Sequence, residues 1–345
     1  FWNEEDILPY LKEVSNLIEI DLSGNSYSEQ VLHLIVDRLL EEKRIERALI
    51  HDIFTGRLKA TIPPAIAEFV RLFEGNSVLR ELDLSDNAFG PLGARALKPI
   101  LLNNPSIEIL RINNNGLGPD GGRVIAEGLT ESHQLHAEKQ SLRLRKIVMG
   151  RNRLESSSIE LAKAFSLFET LEEIHLPQNG IRPEWIGQFF IGLRGASNLR
   201  LLDIQDNTLT ESGTLALAEC IKDWPLLETL NLADCLMRSR GTVVFLQKLI
   251  ELRPRLRHLD LQFNELNEEC VLLMPNLIKS LDKLESLKLN GNTFDPQGIG
   301  ALQLIEAAES MQRLDILDEW DEMEYESEEP SIDNELLDQL ENLTV

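Results

Sequence analysis

Leu79-Arg-Glu-Leu-Asp-Leu-Ser-Asp-Asn-Ala-Phe89 is the stretch that decides the fold. Leu82 and Leu84 alternate with polar residues as a short, half-buried strand requires, and Asn87 and Phe89 follow at set offsets. The frame returns in Ile107/Leu110/Ile112/Asn115/Leu117, Leu144/Ile147/Met149/Asn152/Leu154 and Leu171/Ile174/Leu176/Asn179/Ile181. It continues through Leu199/Leu202/Ile204/Asn207/Leu209, Leu227/Leu230/Leu232/Cys235/Met237, Leu256/Leu259/Leu261/Asn264/Leu266 and Leu284/Leu287/Leu289/Asn292/Phe294. Upstream, Leu17/Ile20/Leu22/Asn25 is another copy, and a degenerate one has Ala48, Ile50 and Ile53 in the ladder slots. Met311/Leu314/Ile316 reads as a last strand with no asparagine turn.

Between turn slots 25, 53, 87, 115, 152, 179, 207, 235, 264 and 292 the steps are 28, 34, 28, 37, 27, 28, 28, 29 and 28 residues. This is the leucine-rich repeat, L-x-x-L-x-L-x-x-N-x-L. Helix-period segments such as Gly122-Arg-Val-Ile-Ala-Glu-Gly-Leu fill the intervals. The expected fold is therefore an α/β solenoid of about 10–11 strand–helix units, ribonuclease-inhibitor-like, bent into a horseshoe because helices are wider than strands. The buried asparagine amide serves backbone groups of the turn, and Cys235 in that slot reads as structural. The repeat domain is expected over 1–317 and an acidic tail over 318–345.

The net charge is −24, which excludes nucleic acid and anionic membranes as natural partners and favours a basic protein. Aromatics make up 6% of the chain, so the core is expected to be mainly aliphatic. No apolar run approaches the ~18 residues of a membrane span, and no signal-peptide pattern opens the chain. Cys220, Cys235 and Cys270 show no paired or metal-type spacing, which points to a reducing compartment. A chain that opens on Phe1 reads as one whose natural start lies upstream.

Two steps are long. The one after Ile53 covers His51-Asp-Ile-Phe-Thr-Gly-Arg-Leu-Lys-Ala-Thr-Ile-Pro-Pro and places Arg57 and Lys59 on an otherwise acidic molecule. Those cations either satisfy a helix terminus or meet a partner. The other, around Thr130-Glu-Ser-His-Gln-Leu-His-Ala-Glu-Lys-Gln-Ser, reads as a polar surface loop. Asp318–Val345 holds twelve Asp or Glu and no Lys or Arg, as either a solvated cap or a tether for a basic partner. Its Leu337, Leu340, Leu343 and Val345 have the spacing of a leucine-rich export signal, and equally that of a short amphipathic helix.

There is no Walker loop, no H-E-x-x-H and no G-x-S-x-G. His133 and His136 lack further ligands at metal spacing. The residues alone thus lead to a binding solenoid with no catalytic site of its own.

Several stretches are more specific than the repeat requires. They are Asp52-Ile-Phe-Thr-Gly-Arg-Leu-Lys, Leu84-Ser-Asp-Asn-Ala-Phe-Gly-Pro, Asn114-Asn-Gly-Leu-Gly-Pro, Gly150-Arg-Asn-Arg-Leu-Glu, Gln178-Asn-Gly-Ile-Arg-Pro-Glu, Leu202-Asp-Ile-Gln-Asp-Asn and Asp234-Cys-Leu. With the acidic tail they resemble the Ran GTPase-activating proteins, in the compact form of fungal and other unicellular members. The family usually starts with one more strand upstream. The resemblance implies a protein that binds Ran loaded with GTP and speeds its hydrolysis, in support of nucleocytoplasmic transport. It implies that Arg57 is the essential loop arginine, acting by ordering the GTPase's own glutamine rather than as an inserted finger. It implies that Asn114 helps hold that glutamine, and that Lys59 and Asp206 contact the GTPase. No cofactor is expected, since GTP and magnesium would belong to the partner. A monomer in the cytoplasm or at the nuclear-envelope periphery is expected, with a Ran-binding accessory protein as a possible third party.

Asn114 and Asp206 stand one residue before the consensus asparagine, a slot also held by Asp52, Asp86, Arg151, Gln178 and Asp234. Equivalent slots of a solenoid form a row, so these side chains are expected along one rim, from which the Arg57 loop departs. Slots that simply face water would also be polar. The rivals are a non-catalytic binder of the ribonuclease-inhibitor type and an immune-receptor repeat fragment.

Overall fold

In a computed structural model the structure describes residues 4–12, 15–54, 61–74, 78–139 and 142–317. Every repeat contributes one strand of three residues. These are β1 (Glu19–Asp21), β2 (Arg47–Leu49), β3 (Glu81–Asp83), β4 (Ile109–Arg111), β5 (Lys146–Val148), β6 (Glu173–His175), β7 (Leu201–Asp203), β8 (Thr229–Asn231), β9 (His258–Asp260) and β10 (Ser286–Lys288). They form one parallel sheet in strict chain order, β1 to β10. The register matches the sequence frame: Leu82 lies opposite Ala48 and Leu110, and Leu230 opposite Leu202 and Leu259. The leucine-rich-repeat solenoid is the fold.

Only the central residue of each strand is buried, because one sheet face meets the helices and the other is the concave surface. Ala48, Ile50 and Ile53 of the degenerate copy are all fully buried, as the frame requires. Each buried leucine or isoleucine of the ladder contributes about 2 kcal/mol. The strand side of the core is aliphatic as expected, while its large aromatics come from helices: Phe69, Phe73, Phe165, Phe189, Phe190 and Phe245 are all fully buried there. Trp224 is also fully buried, and its indole N–H donates to Leu193 O at 3.1 Å, which removes the cost of an orphaned donor.

Two expectations need correction. The polar insertion is not a surface loop. A helix runs from Gly118 to His136 and a 3-10 turn follows over Ala137–Lys139. No Gly or Pro interrupts Thr130–His136, so the helix continues by added turns. Ser132 is buried, Lys98 Nζ reaches Glu131 at 2.8 Å, and His136 Nε2 meets Leu102 O at 3.0 Å. The polarity belonged to a helix face. The final expected strand is a 3-10 turn at Leu314–Ile316 with a single parallel bridge between Leu287 and Leu317. There Arg313 donates to the carbonyls of Ile278 at 3.1 Å and Leu281 at 3.2 Å, and also to that of Leu284, satisfying acceptors at the end of the stack.

The tail expected over 318–345 lies outside the described residues, as do its candidate export leucines.

Candidate functional site

The turn after each strand sets the site. At its centre is the asparagine ladder, in which each side chain serves two repeats. Asn115 Oδ1 accepts from Asn87 N at 3.0 Å, Asn152 Oδ1 from Asn115 N at 2.9 Å, and Asn179 Oδ1 from Asn152 N at 2.9 Å. Their Nδ2 groups donate back to strand carbonyls; Asn152, for example, reaches Ile112 O at 2.8 Å and Met149 O at 3.0 Å. Cys235 holds the same place with a thiol that donates to Ile204 O at 3.3 Å and accepts from the Asn207 amide. Burial pushes that thiol up to about 12, so it stays protonated and unreactive at neutral pH.

One residue earlier the backbone enters the left-handed region. Asp52, Asp86, Asn114, Arg151, Gln178, Asp206 and Asp234 have φ of 51°, 60°, 48°, 58°, 56°, 53° and 53°. This conformation costs roughly 1–2 kcal/mol for a residue with a Cβ, least for Asn and Asp. It is held by a second ladder: the amides of Asp86, Asn114, Arg151, Gln178, Asp206 and Asp234 each donate to a carbonyl of the next repeat at 2.9 Å. The left-handed turn throws each side chain away from the core, just before the next residue turns in. Asp86, Asn114, Arg151, Gln178 and Asp234 are exposed beside buried neighbours.

The structure therefore brings the expected row together. Asn114 Nδ2 donates to Asp86 Oδ1 at 2.9 Å. Arg151 Nε donates to Gln178 Oε1 at 2.7 Å, and Gln178 Nε2 to Asp206 Oδ2 at 2.6 Å. An amide has two donor hydrogens and an acceptor oxygen, so Asn114 keeps one N–H and its carbonyl for a partner. With the concave floor, the row encloses a trough of about 730 Å³ running from Asp86 to Lys288. Gly150 is required in that floor, since a Cβ there would come within 2.8 Å of the Pro177 ring.

Charge distinguishes this rim from the opposite one. At the strand entrances the charges neutralise one another from repeat to repeat, as where Arg145 meets Glu172 at 3.0 Å and Arg200 meets Glu228 at 2.6 Å. Asp86, Arg151, Asp206 and Asp234 form no ion pair among the described residues. The trough thus presents four aspartates, Arg151, Lys288 and several amides, a net acidic lining complementary to a basic surface.

Arg57 and Lys59 lie outside the described residues; Phe54, buried next to the row at Asp52, and Thr61 bracket them. Sequence reasoning missed the concave contributors Asn113 and Gln205, two residues before the turn slot, and Asn231, Asp260 and Lys288, four before it. It also missed Phe263, the apolar residue that stands immediately before Asn264.

Comparison with known proteins decides the family. The chain is 32% identical over 318 residues to Ran GTPase-activating protein 1 of Saccharomyces cerevisiae, covering 88% of this chain and 78% of the yeast protein. The chain belongs to the Ran GTPase-activating proteins. A family member from Drosophila melanogaster is 33% identical over 97% of this chain, which spans 58% of the fly protein's length. Residues 75–98 and 103–126 match the family model described as Leucine Rich repeat. More distantly, ribonuclease inhibitor of Sus scrofa is 23% identical over 86% of this chain and 69% of its own.

Proposed function

We propose that this chain activates GTP hydrolysis by Ran, binding the GTP-loaded form along the exit rim and working on the partner's active site. Family membership supplies the partner, and the row from Asp86 to Asp206, hydrogen-bonded in two groups, is the single observation that carries the surface. Phosphoryl transfer asks little covalent chemistry of a protein and much positioning and charge stabilisation. The GTPase brings the nucleotide, the magnesium ion, the water and the glutamine that aligns it.

In this reading Asn114 holds that glutamine through the N–H and carbonyl left over from its bond to Asp86, an amide paired with an amide. Arg57 orders the same glutamine, and Lys59 contacts the GTPase beside it. Asp52, Asp86, Arg151, Gln178, Asp206 and Asp234 fix how the partner lies along the trough. Restricting the glutamine's rotamers before the transition state lowers the barrier without a catalytic group of the activator entering the reaction. Service in nucleocytoplasmic transport, cytoplasmic placement, action as a monomer and help from a Ran-binding accessory protein belong to the same proposal and rest on family membership. No described helix is long and apolar enough to cross a membrane.

The rival, a binder that accelerates nothing, is favoured by the likeness to ribonuclease inhibitor. Substoichiometric protein added to Ran·GTP separates the two. Multiple turnovers of phosphate release are expected; tight binding with hydrolysis at the intrinsic rate would leave only the rival.

A further inference from the structure

At position 263 the row changes character. From Asp52 to Asp234 every slot is polar, but Phe263 places a phenyl ring in the same left-handed turn, at φ 55°. That region disfavours bulky side chains, and Phe has no polar atom with which to stabilise the turn locally. Burial does not offset the strain either, because the residue stays 53% exposed.

The surroundings are nevertheless cut to accept the ring. One repeat further the slot is Gly291, where a Cβ would lie 2.1 Å from Cδ1 and 2.2 Å from Cε1 of Phe263. The ring thus occupies space that any other residue at 291 would claim. The Phe263 amide is tied to Asn290 O at 3.0 Å. Among the described residues, Phe263 is the only exposed large apolar side chain that lines the trough, which it shares with Asp206, Asp234, Asp260 and Lys288.

We propose that Phe263 is the apolar anchor that seats the GTPase at the far end of the rim. The inference rests on the Ran-activating reading and extends its contact surface by one repeat. The matching feature on the partner is an apolar side chain flanked by a lysine or arginine that faces Asp234. Desolvated aromatic anchors of this kind dominate protein interfaces, and polar neighbours around them set orientation. Several repeats separate Phe263 from Asn114, so the anchor acts on affinity and not on the chemical step.

The test uses Phe263→Asn, since Asn suits a left-handed turn better than Phe does. The expected result is a melting temperature equal to or above that of the wild type, a KM for Ran·GTP raised about tenfold, and an unchanged kcat at saturation. Phe263→Tyr, which keeps the ring, should stay within about twofold of the wild-type KM. Three results overturn the proposal: an unchanged KM in Phe263→Asn, a lowered melting temperature that makes the ring part of the core, or a fall in kcat at saturation. The wild type assayed alongside isolates the underlying reading. If it binds Ran·GTP without stimulating hydrolysis, that reading fails alone and Kd becomes the measure of Phe263. If it neither binds nor stimulates, both fail.

Discussion

Asn114 and Asn115 carry the same side chain on adjacent residues, and the fold gives them opposite surroundings. Asn115 is fully buried; it accepts from Asn87 N at 3.0 Å and donates to Leu84 O and Asn113 O, each at 3.0 Å. Asn114, at φ 48°, is exposed and spends one N–H on Asp86. Gln178 beside Asn179 and Asp206 beside Asn207 repeat the contrast. The inner row stitches the horseshoe together, and every repeat needs nearly the same side chain there. The outer row asks of the fold only tolerance of a left-handed turn, so its side chains are free to differ and to serve a partner. In the proposed reading the partner is met by the variable row, one residue away from the near-constant one.

Substitutions can break this division, and the largest effect is expected outside both rows. Arg57→Ala should lower the stimulated hydrolysis of GTP by Ran in single-turnover assays by about 10³-fold or more with little change in stability. An unchanged rate would remove the loop from the site. Asn115→Ala should do the reverse. It strands buried backbone groups of two repeats and should cost about 3 kcal/mol in chemical denaturation. A loss well below 1 kcal/mol would show that the inner ladder is not what holds the turns.

Asn114→Ala should slow stimulated hydrolysis by about 10²-fold while stability moves by about 1 kcal/mol, the cost of alanine in the left-handed region. Full recovery at saturating activator would convert Asn114 from a positioning residue into a simple contact. Cys235→Asn makes the inner ladder continuous from Asn87 to Asn292, replacing a sulfur acceptor for the Asn207 amide by an oxygen. A gain of about 0.5–1 kcal/mol is expected; a loss would mean that the pocket is shaped to sulfur.

Burial of two thiols, Cys235 in the inner row and Cys270 on a helix, also has a pH signature. Burial raises the thiols of Cys235 and Cys270 from the usual 9.0 to about 12. A folded-state value above the unfolded one stabilises the fold fully below the unfolded value, and the benefit fades as pH rises through the folded value. Thermal stability should therefore show no cysteine contribution to its pH dependence below pH 9, and should fall between pH 9 and 12. Replacing both residues by Ala should flatten that fall; an unaltered alkaline limb would assign it to other groups.

The strands, their register and the asparagine ladder were legible in the sequence because a solenoid turns each into a nearest-neighbour rule: a slot's sequence spacing is its spatial neighbour. The exit row was legible for the same reason, at Asp52, Asp86, Asn114, Arg151, Gln178, Asp206 and Asp234. The insertion after Thr130 misled because the solvated face of a long helix and a polar loop have the same composition. Arg313 escaped notice because capping the end of a stack is a single event with no period. Phe263 escaped notice because a single apolar residue in a row otherwise marked by polarity carries no periodic signal.

By itself the sequence determined the repeat, the number of strands to within one, the side chains that turn inward and the family. The first three depend on local periodicity, and the family on stretches more specific than the repeat requires; both survive without coordinates. Tertiary structure alone decided that the slot before each asparagine is left-handed and that Asn114 leans on Asp86 while Gln178 joins Arg151 to Asp206. It alone cleared room at Gly291 for an exposed ring at 263. Those relations lie between repeats, where two residues some 28 positions apart meet only after the stack has closed.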